Sequence, residues 1–344
     1  MGTDQFKKSM NQLGYLKPPH IKNSAGEERT VGYEFEFTGI EITEAAQLIK
    51  NLYAGKIREI STYEIEVQNT EFGTFKMELD AQLLRDKKYE KVLKSIGIDI
   101  DDIKDKDGKE KKLMEMAATI VPYEIVTPPI PISKLDVIDR LVEKLKEKKV
   151  KGTGSSILYA FGMHINPEVP SDDIVSILNH LKAYVLMDPW IRNQSDINMS
   201  RRITPFIDPY SEDYIRYILD PTYSPDIKTL IKDYFEHDNS RNRALDLLPL
   251  FMHIDEKTTL SMIDEELTSA RPTYHYRLPN CSFEKKEWTP ALEWNRWVEV
   301  ERLANDEDQL KQLSHDWLKL SNDTMIGFES KWVKKMDDRV KNNG

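Results

Sequence analysis

Apolar and polar residues alternate strictly over residues 32–38. Tyr33, Phe35 and Phe37 fall on one side and Glu34 and Glu36 on the other, which predicts a β-strand. Next, Ile42, Ala45, Ala46, Ile49, Leu52 and Tyr53 recur at helical spacing ahead of Gly55, predicting a helix over 42–54. Alternation returns over 57–68 and 73–80, two strands joined as a hairpin around 69–73. Tyr63, Ile65 and Val67 oppose Glu64 and Glu66 there, and Phe75, Met77 and Leu79 oppose Lys76, Glu78 and Asp80. A strand over 118–127 ends at Pro128-Pro129, and Ser133 with Asp136 predicts a capped helix to about Lys149. Residues 156–166 read as a strand, Ser171 as the cap of a helix to about Leu186, and Ser224-Pro225 as the opening of another helix. A strand over 273–279 precedes a Trp-rich helical region from residue 290. Strands with helices inserted singly, and no regular βαβ alternation, predict an α+β fold around a mostly antiparallel sheet.

Charge and composition narrow the function classes. The 344 residues carry 49 Lys and Arg against 59 Asp and Glu, a net charge of −10. A nucleic-acid groove needs a basic face, so that balance argues against one. No apolar run approaches the roughly 18 residues of a membrane span, and the first residues lack the apolar core of a secretion signal. The start resembles a myristoylation site, but Phe6 stands where Ser or Thr is required. The single cysteine, Cys281, excludes an intramolecular disulfide and a cysteine metal cage. These features predict a cytoplasmic protein that acts on neither nucleic acid nor membrane. Two loop motifs are set aside. Asp105-Lys-Asp107-Gly108 has Ile103 and Met114 where the first and last ligands of a calcium loop belong, and Gly152-Thr-Gly154 lacks the Gly-Lys-Ser/Thr of a phosphate loop.

The polar faces of the strands carry the candidate chemistry. Glu34, Glu36, Glu78, Asp80 and Glu124 all sit at strand positions opposite apolar residues. In the run Tyr159 to Asn166, Ala160, Gly162, His164 and Asn166 share one face, so small residues flank a histidine and leave space for a ligand. On the last strand His275 and Arg277 face away from Tyr274, Tyr276 and Leu278. A solvated sheet face is the plainer reading of any one glutamate. Like charges directly opposite across strands repel, so a converging cluster implies neutralisation by divalent ions. Oxygen ligands with one imidazole suit Mg²⁺ or Mn²⁺ better than zinc. His20, His180, His237, His253 and His315 have no such company and read as structural, as do Trp288, Trp294, Trp297, Trp317 and Trp332.

Seven segments, in order, resemble the amidoligase family, a relative of carboxylate–amine ligases and glutamine synthetase. They are Gly32-Tyr-Glu-Phe-Glu-Phe, Leu79-Asp80-Ala-Gln-Leu-Leu, Tyr123-Glu-Ile-Val-Thr-Pro-Pro, Phe161-Gly-Met-His-Ile-Asn, Ser200-Arg201-Arg202, Arg241-Asn-Arg-Ala-Leu-Asp-Leu247 and Tyr276-Arg277-Leu-Pro-Asn280. The resemblance departs at Ala81-Gln82, where Gly-Ser is usual, at Asp246, where Asn is usual, and at His275, where Glu is usual; His275 is either the loss of a metal ligand or a ligand itself. It implies a glutamine synthetase-like curved, mostly antiparallel β-sheet with helices packed on one face, binding ATP and Mg²⁺ (or Mn²⁺). It implies amide formation through an acyl phosphate from a carboxylate and an amine substrate, with a peptide or protein among the candidates. A metal-dependent hydrolase and an inactive binding module on the same fold are the alternatives. The expected metal ligands are Glu34, Glu36, Asp80, Glu124 and His164, with Glu78 a weaker candidate. Arg277 and Glu124 are the expected catalytic residues. Arg201, Arg202 and Arg277 would contact the nucleotide, and Arg241 and Arg243 the substrate. The resemblance divides the chain into a lead-in over 1–30, a catalytic domain over 31–304 and a helical extension over 305–344.

Overall fold

The computed structural model describes residues 13–79, 122–152, 162–195, 207–237, 243–263, 269–323 and 327–343. Among the described residues nine strands form one antiparallel sheet: β1 (Thr30–Phe37), β2 (Lys56–Ser61), β3 (Glu64–Thr70), β4 (Gly73–Leu79), β5 (Tyr123–Val126), β6 (Ile130–Pro131), β7 (Met163–Pro167), β8 (Leu245–Asp246) and β9 (His275–Tyr276). Their order is β2-β3-β4-β5-β1-β7-β9-β8, with β6 paired to β1. Ten α-helices lie among the described residues: α1 (Ile42–Tyr53), α2 (Asp136–Glu147), α3 (Ile174–Ser195), α4 (Glu212–Leu219), α5 (Ile227–His237), α6 (Leu248–Ile254), α7 (Glu256–Leu260), α8 (Pro290–Ala304), α9 (Glu307–Asp323) and α10 (Phe328–Asn343). No helix of the described residues is long and apolar enough to cross a membrane.

Strand alternation makes one sheet face apolar. Register sets Ile65 against Met77, Met77 against Ile125, Ile125 against Phe35, and Phe35 against Met163. A second row runs Tyr33, Ile165, Tyr276, Leu245. All nine are buried. Helices cover this face: Tyr53 of α1 stacks on Phe75, His180 and Tyr184 of α3 meet Tyr274 and Tyr276, and Trp297 of α8 packs on both tyrosines. The five tryptophans read as structural are all buried in the same core, and Trp317 and Trp332 tie α9 and α10 into it. The mostly antiparallel α+β expectation therefore agrees with the observed sheet.

Several boundaries differ from the pattern reading. The strand expected over 57–68 is the β2–β3 hairpin, turned at Thr62 and Tyr63. No Gly, Asn or Pro marks that turn, and alternation on both sides masks it. Ser133 caps nothing: it sits in a 3₁₀ turn (Ile132–Lys134), and its amide donates to Glu28 Oε1. Helix α3 runs nine residues past Leu186, through Pro189. Its residues 183–187 are all buried, so no polar face reveals the helical period there. Its N-terminal amide at Ser176 bonds to Asp173 rather than Ser171. Of the strand expected over 273–279 only His275–Tyr276 is regular, although bridges continue the pairing at Thr273 and Asn280.

One group on this scaffold makes stability pH-dependent away from the polar face. Asp139 of α2 accepts a 3.0 Å hydrogen bond from the Tyr15 hydroxyl. Burial, reinforced by Glu143 and Asp136, pushes its carboxyl up to about 6. A raised carboxyl binds its proton more tightly in the folded chain. Its contribution is therefore fully present below the ordinary carboxylate value and is lost as pH rises through about 6. Asn at this position removes the buried charge and still accepts from Tyr15. Asp139→Asn is expected to stabilise the chain by about 1–2 kcal/mol at pH 8, after allowance for partial exposure, and negligibly at pH 4. Denaturant unfolding at the two pH values checks this; equal effects at both would refute it.

Candidate functional site: an acidic sheet face

The face opposite the apolar rows gathers the strand carboxylates. Residues directly opposite each other in an antiparallel pair project to the same side. Register sets Glu64 against Glu78, Glu78 against Glu124, and Glu124 against Glu36, a row of four carboxylates across β3, β4, β5 and β1. In the adjacent row Glu34 of β1 stands opposite His164 of β7. The strictly alternating β1 sequence thus feeds both rows from one strand.

His164 is the hub. Its Nδ1 lies 2.6 Å from Glu34 Oε2 and 3.9 Å from Glu124 Oε1, and its Nε2 lies 3.5 Å from Glu36 Oε1. The carboxylates are held from behind by neutral donors. Asn166 Nδ2 donates to Glu34 Oε1 at 2.8 Å, and the Gly162 amide donates to Glu36 Oε2 at 2.7 Å. Arg271 Nη1 approaches Glu34 Oε1 at 3.7 Å. Burial opposes charge on Glu34, but His275, His164 and Arg271 outweigh it and hold the carboxyl well below its usual range. Glu34 is thus an anion in a nearly enclosed position.

β8 and β9 complete the rim. Asp246 stands opposite His275 in the strand pair. Arg277 Nη2 donates to Asp246 Oδ2 at 2.8 Å. An acid facing Arg277 is therefore Asp246, which was not among the expected site residues. His275 is 6% exposed and its ring lies 5.0 Å from that of His164. Burial, with Arg277 next, pushes the His275 imidazole well below its ordinary value. Among the described residues neither of its ring nitrogens has a hydrogen-bond partner, nor does the buried Oδ1 of Asn166. One donor atom each from Glu34, His164 and His275 lie within 4.8 Å of one another. Two ligands on opposite sides of one ion, each at about 2.1 Å, are about 4.2 Å apart. The set therefore fits a divalent cation after a small closure, and a cation would satisfy the orphaned imidazole.

Against that geometry, the family description "Putative amidoligase enzyme" matches residues 27–299 of the chain. The protein belongs to the amidoligase family. The match contains every described residue of the acidic face. The chain matches no curated protein and no solved structure.

Of the residues that the amidoligase resemblance nominates, the structure brings Glu34, Glu36, Glu124 and His164 together, with Glu78 next to Glu124. Arg277 lies at the rim. Arg243 is fully buried, its guanidinium 3.9 Å from the Tyr234 ring centre and also over Tyr210 and Tyr214, and its Nη2 donates to the Tyr234 carbonyl. The three tyrosine rings hold the guanidinium by cation–π contact. Asp80, Arg201, Arg202 and Arg241 lie outside the described residues, as do Ala81-Gln82. Asn166 was readable as a site residue from its place on the face of His164. Arg271 was not, because it precedes the strand and no alternation orients it.

Proposed function

We propose that the protein is an ATP-dependent carboxylate–amine ligase on a glutamine synthetase-like sheet. The observation that carries the reading is the convergence of Glu34, Glu36 and Glu124 on His164 within an amidoligase sequence match. A substrate carboxylate oxygen attacks the γ-phosphorus of ATP. The bond from that phosphorus to the bridging oxygen breaks, ADP leaves with the electron pair, and an acyl phosphate remains. An amine nitrogen then attacks the acyl carbon, phosphate leaves, and the proton of the amine passes to solvent. Divalent cations held by the acidic face would neutralise phosphate charge as it develops.

The chain's own residues have assignable tasks in this scheme. Glu36 and Glu124, joined by Asp80, would hold one cation, and Glu34 with His164 a second. Arg277 offers paired donors to the transferring phosphate, and Asp246 keeps that guanidinium oriented. Arg201 and Arg202 contact the nucleotide, and Arg241 the substrate. Neutral donors such as Asn166 and the Gly162 amide fix the carboxylates without competing for metal charge.

The test measures ADP release by the purified chain with Mg²⁺ or Mn²⁺ against panels of amines and carboxylates: amino acids, peptides and cell-wall fragments. The expected result is ADP formation that requires both an amine and a carboxylate, with the amide product seen by mass spectrometry. Amide cleavage or phosphate release without ATP would replace this reading with a metal-dependent hydrolase. Silence of every pair, with nucleotide binding also absent, would point to a binding module.

A further inference from the structure

The donor set nearest β9 differs in kind from the row of carboxylates beside it. Glu36 and Glu124 offer oxygen alone. Glu34, His164 and His275 offer one buried carboxylate and two imidazoles, with donor atoms within 4.8 Å of one another. His275 is the informative member. It is more than nine-tenths buried, and among the described residues neither of its nitrogens has a hydrogen-bond partner. Leaving a buried polar group unsatisfied is costly, so such groups mark an absent water or ion. The ring sits beside that of His164, 5.0 Å away.

We propose that Glu34, His164 and His275 form a separate site for a nitrogen-accepting divalent cation of the zinc, iron or cobalt class, distinct from an oxygen-lined Mg²⁺ site at Glu36 and Glu124. Mg²⁺ prefers oxygen ligands and keeps much of its water, so two imidazoles suit it poorly. Zn²⁺, Fe²⁺ and Co²⁺ accept imidazole readily, and two histidines with one carboxylate are a recurrent set for them that leaves further positions open. Glu34 supplies the negative charge, while Asn166 on its second oxygen fixes the carboxylate rotamer. The inference rests on reading this face as a cation site; it does not depend on ATP chemistry.

Metal-free full-length protein titrated with Co²⁺, and separately with Mg²⁺, tests the assignment. Visible absorption reports the Co²⁺ coordination sphere and thermal shift reports both ions. The expected result is Co²⁺ binding at least about a hundredfold tighter than Mg²⁺, with d–d bands of a nitrogen-containing sphere. His275→Ala is expected to weaken Co²⁺ about tenfold to a hundredfold and leave Mg²⁺ affinity within about twofold. His275→Glu should narrow the gap between the two ions. X-ray absorption of the zinc-loaded wild type counts imidazole ligands without any substitution, so a variant that fails to fold does not remove the test: two support the site, one or none overturns it. Co²⁺ affinity unchanged by His275→Ala also overturns it. ADP release sustained by Mg²⁺ with no Co²⁺ or Zn²⁺ binding would sink this site and leave the ligase standing. A two-imidazole zinc site without ADP release would do the reverse.

Discussion

Glu34→Gln is expected to reduce ADP release by about 10²–10³-fold while the chain stays folded. The substitution keeps the length and shape of the side chain and removes its charge. Glu34 touches His164, Asn166 and Arg271, and it is only 8% exposed. A neutral amide there cannot balance a cation, and its NH₂ group would face the imidazole or the ion. Glu34→Asp retains charge but withdraws the carboxylate by one methylene, so an intermediate loss is expected. The variants should be assayed beside circular dichroism and melting curves, because Glu34 pairs with two neighbouring strands. Activity within threefold of wild type in a folded Gln variant would remove this face from the reaction, whatever the family membership implies.

How much of this site was legible beforehand follows from its physics. Alternation has a period of two residues, so it assigns Glu34, Glu36 and His164 to faces without knowledge of any neighbour. The same signal identified the apolar side: Tyr33, Phe35, Ile65, Phe75, Met77, Met163 and Ile165 took their places in the buried face of the sheet, whereas Tyr63 fell in the β2–β3 turn and is 40% exposed. Register is a different kind of information. That Glu36 meets Glu124, and Glu34 meets His164, depends on which strands pair, and β1 pairs with segments about ninety and a hundred and thirty residues away in sequence. Pattern alone has no access to such pairings; the ordered resemblance supplied them as an expectation. Arg271 and Asp246 escaped because their orientation is set by tertiary contacts. Arg243 shows the converse limit: an arginine in a motif reads the same whether it meets solvent or three tyrosine rings.

Arg29→Met is expected to cost about 3–5 kcal/mol of stability at neutral pH, the largest single loss foreseen away from the acidic face. Arg29 and Glu301 are both fully buried and joined by two parallel hydrogen bonds of 2.9 and 2.7 Å. Arg29 also donates to the carbonyls of Glu168 and His20, while Glu301 accepts from the Trp297 indole at 2.8 Å. Methionine fills similar volume but leaves the Glu301 charge unpaired in the core. The pH dependence gives the sharper test. Burial alone would raise the Glu301 carboxyl, yet Arg29 more than offsets this and holds it below its ordinary value. In the wild type its contribution is therefore present above that ordinary value and lost only as pH falls through the depressed one. Without Arg29, burial dominates and the carboxyl rises, so the variant loses stability as pH increases. The deficit relative to wild type should be widest near pH 8 and shrink toward pH 5, as read by denaturant unfolding. Adding Glu301→Gln removes the stranded charge, keeps an acceptor for Trp297, and should recover a good part of the loss; a deficit independent of pH and unrelieved by Gln would show that the ion pair is not its cause. Because Arg29 immediately precedes the first residue of β1, the strand that carries both Glu34 and Glu36, this variant should also weaken cation binding at the acidic face, which connects the core clamp to the chemistry.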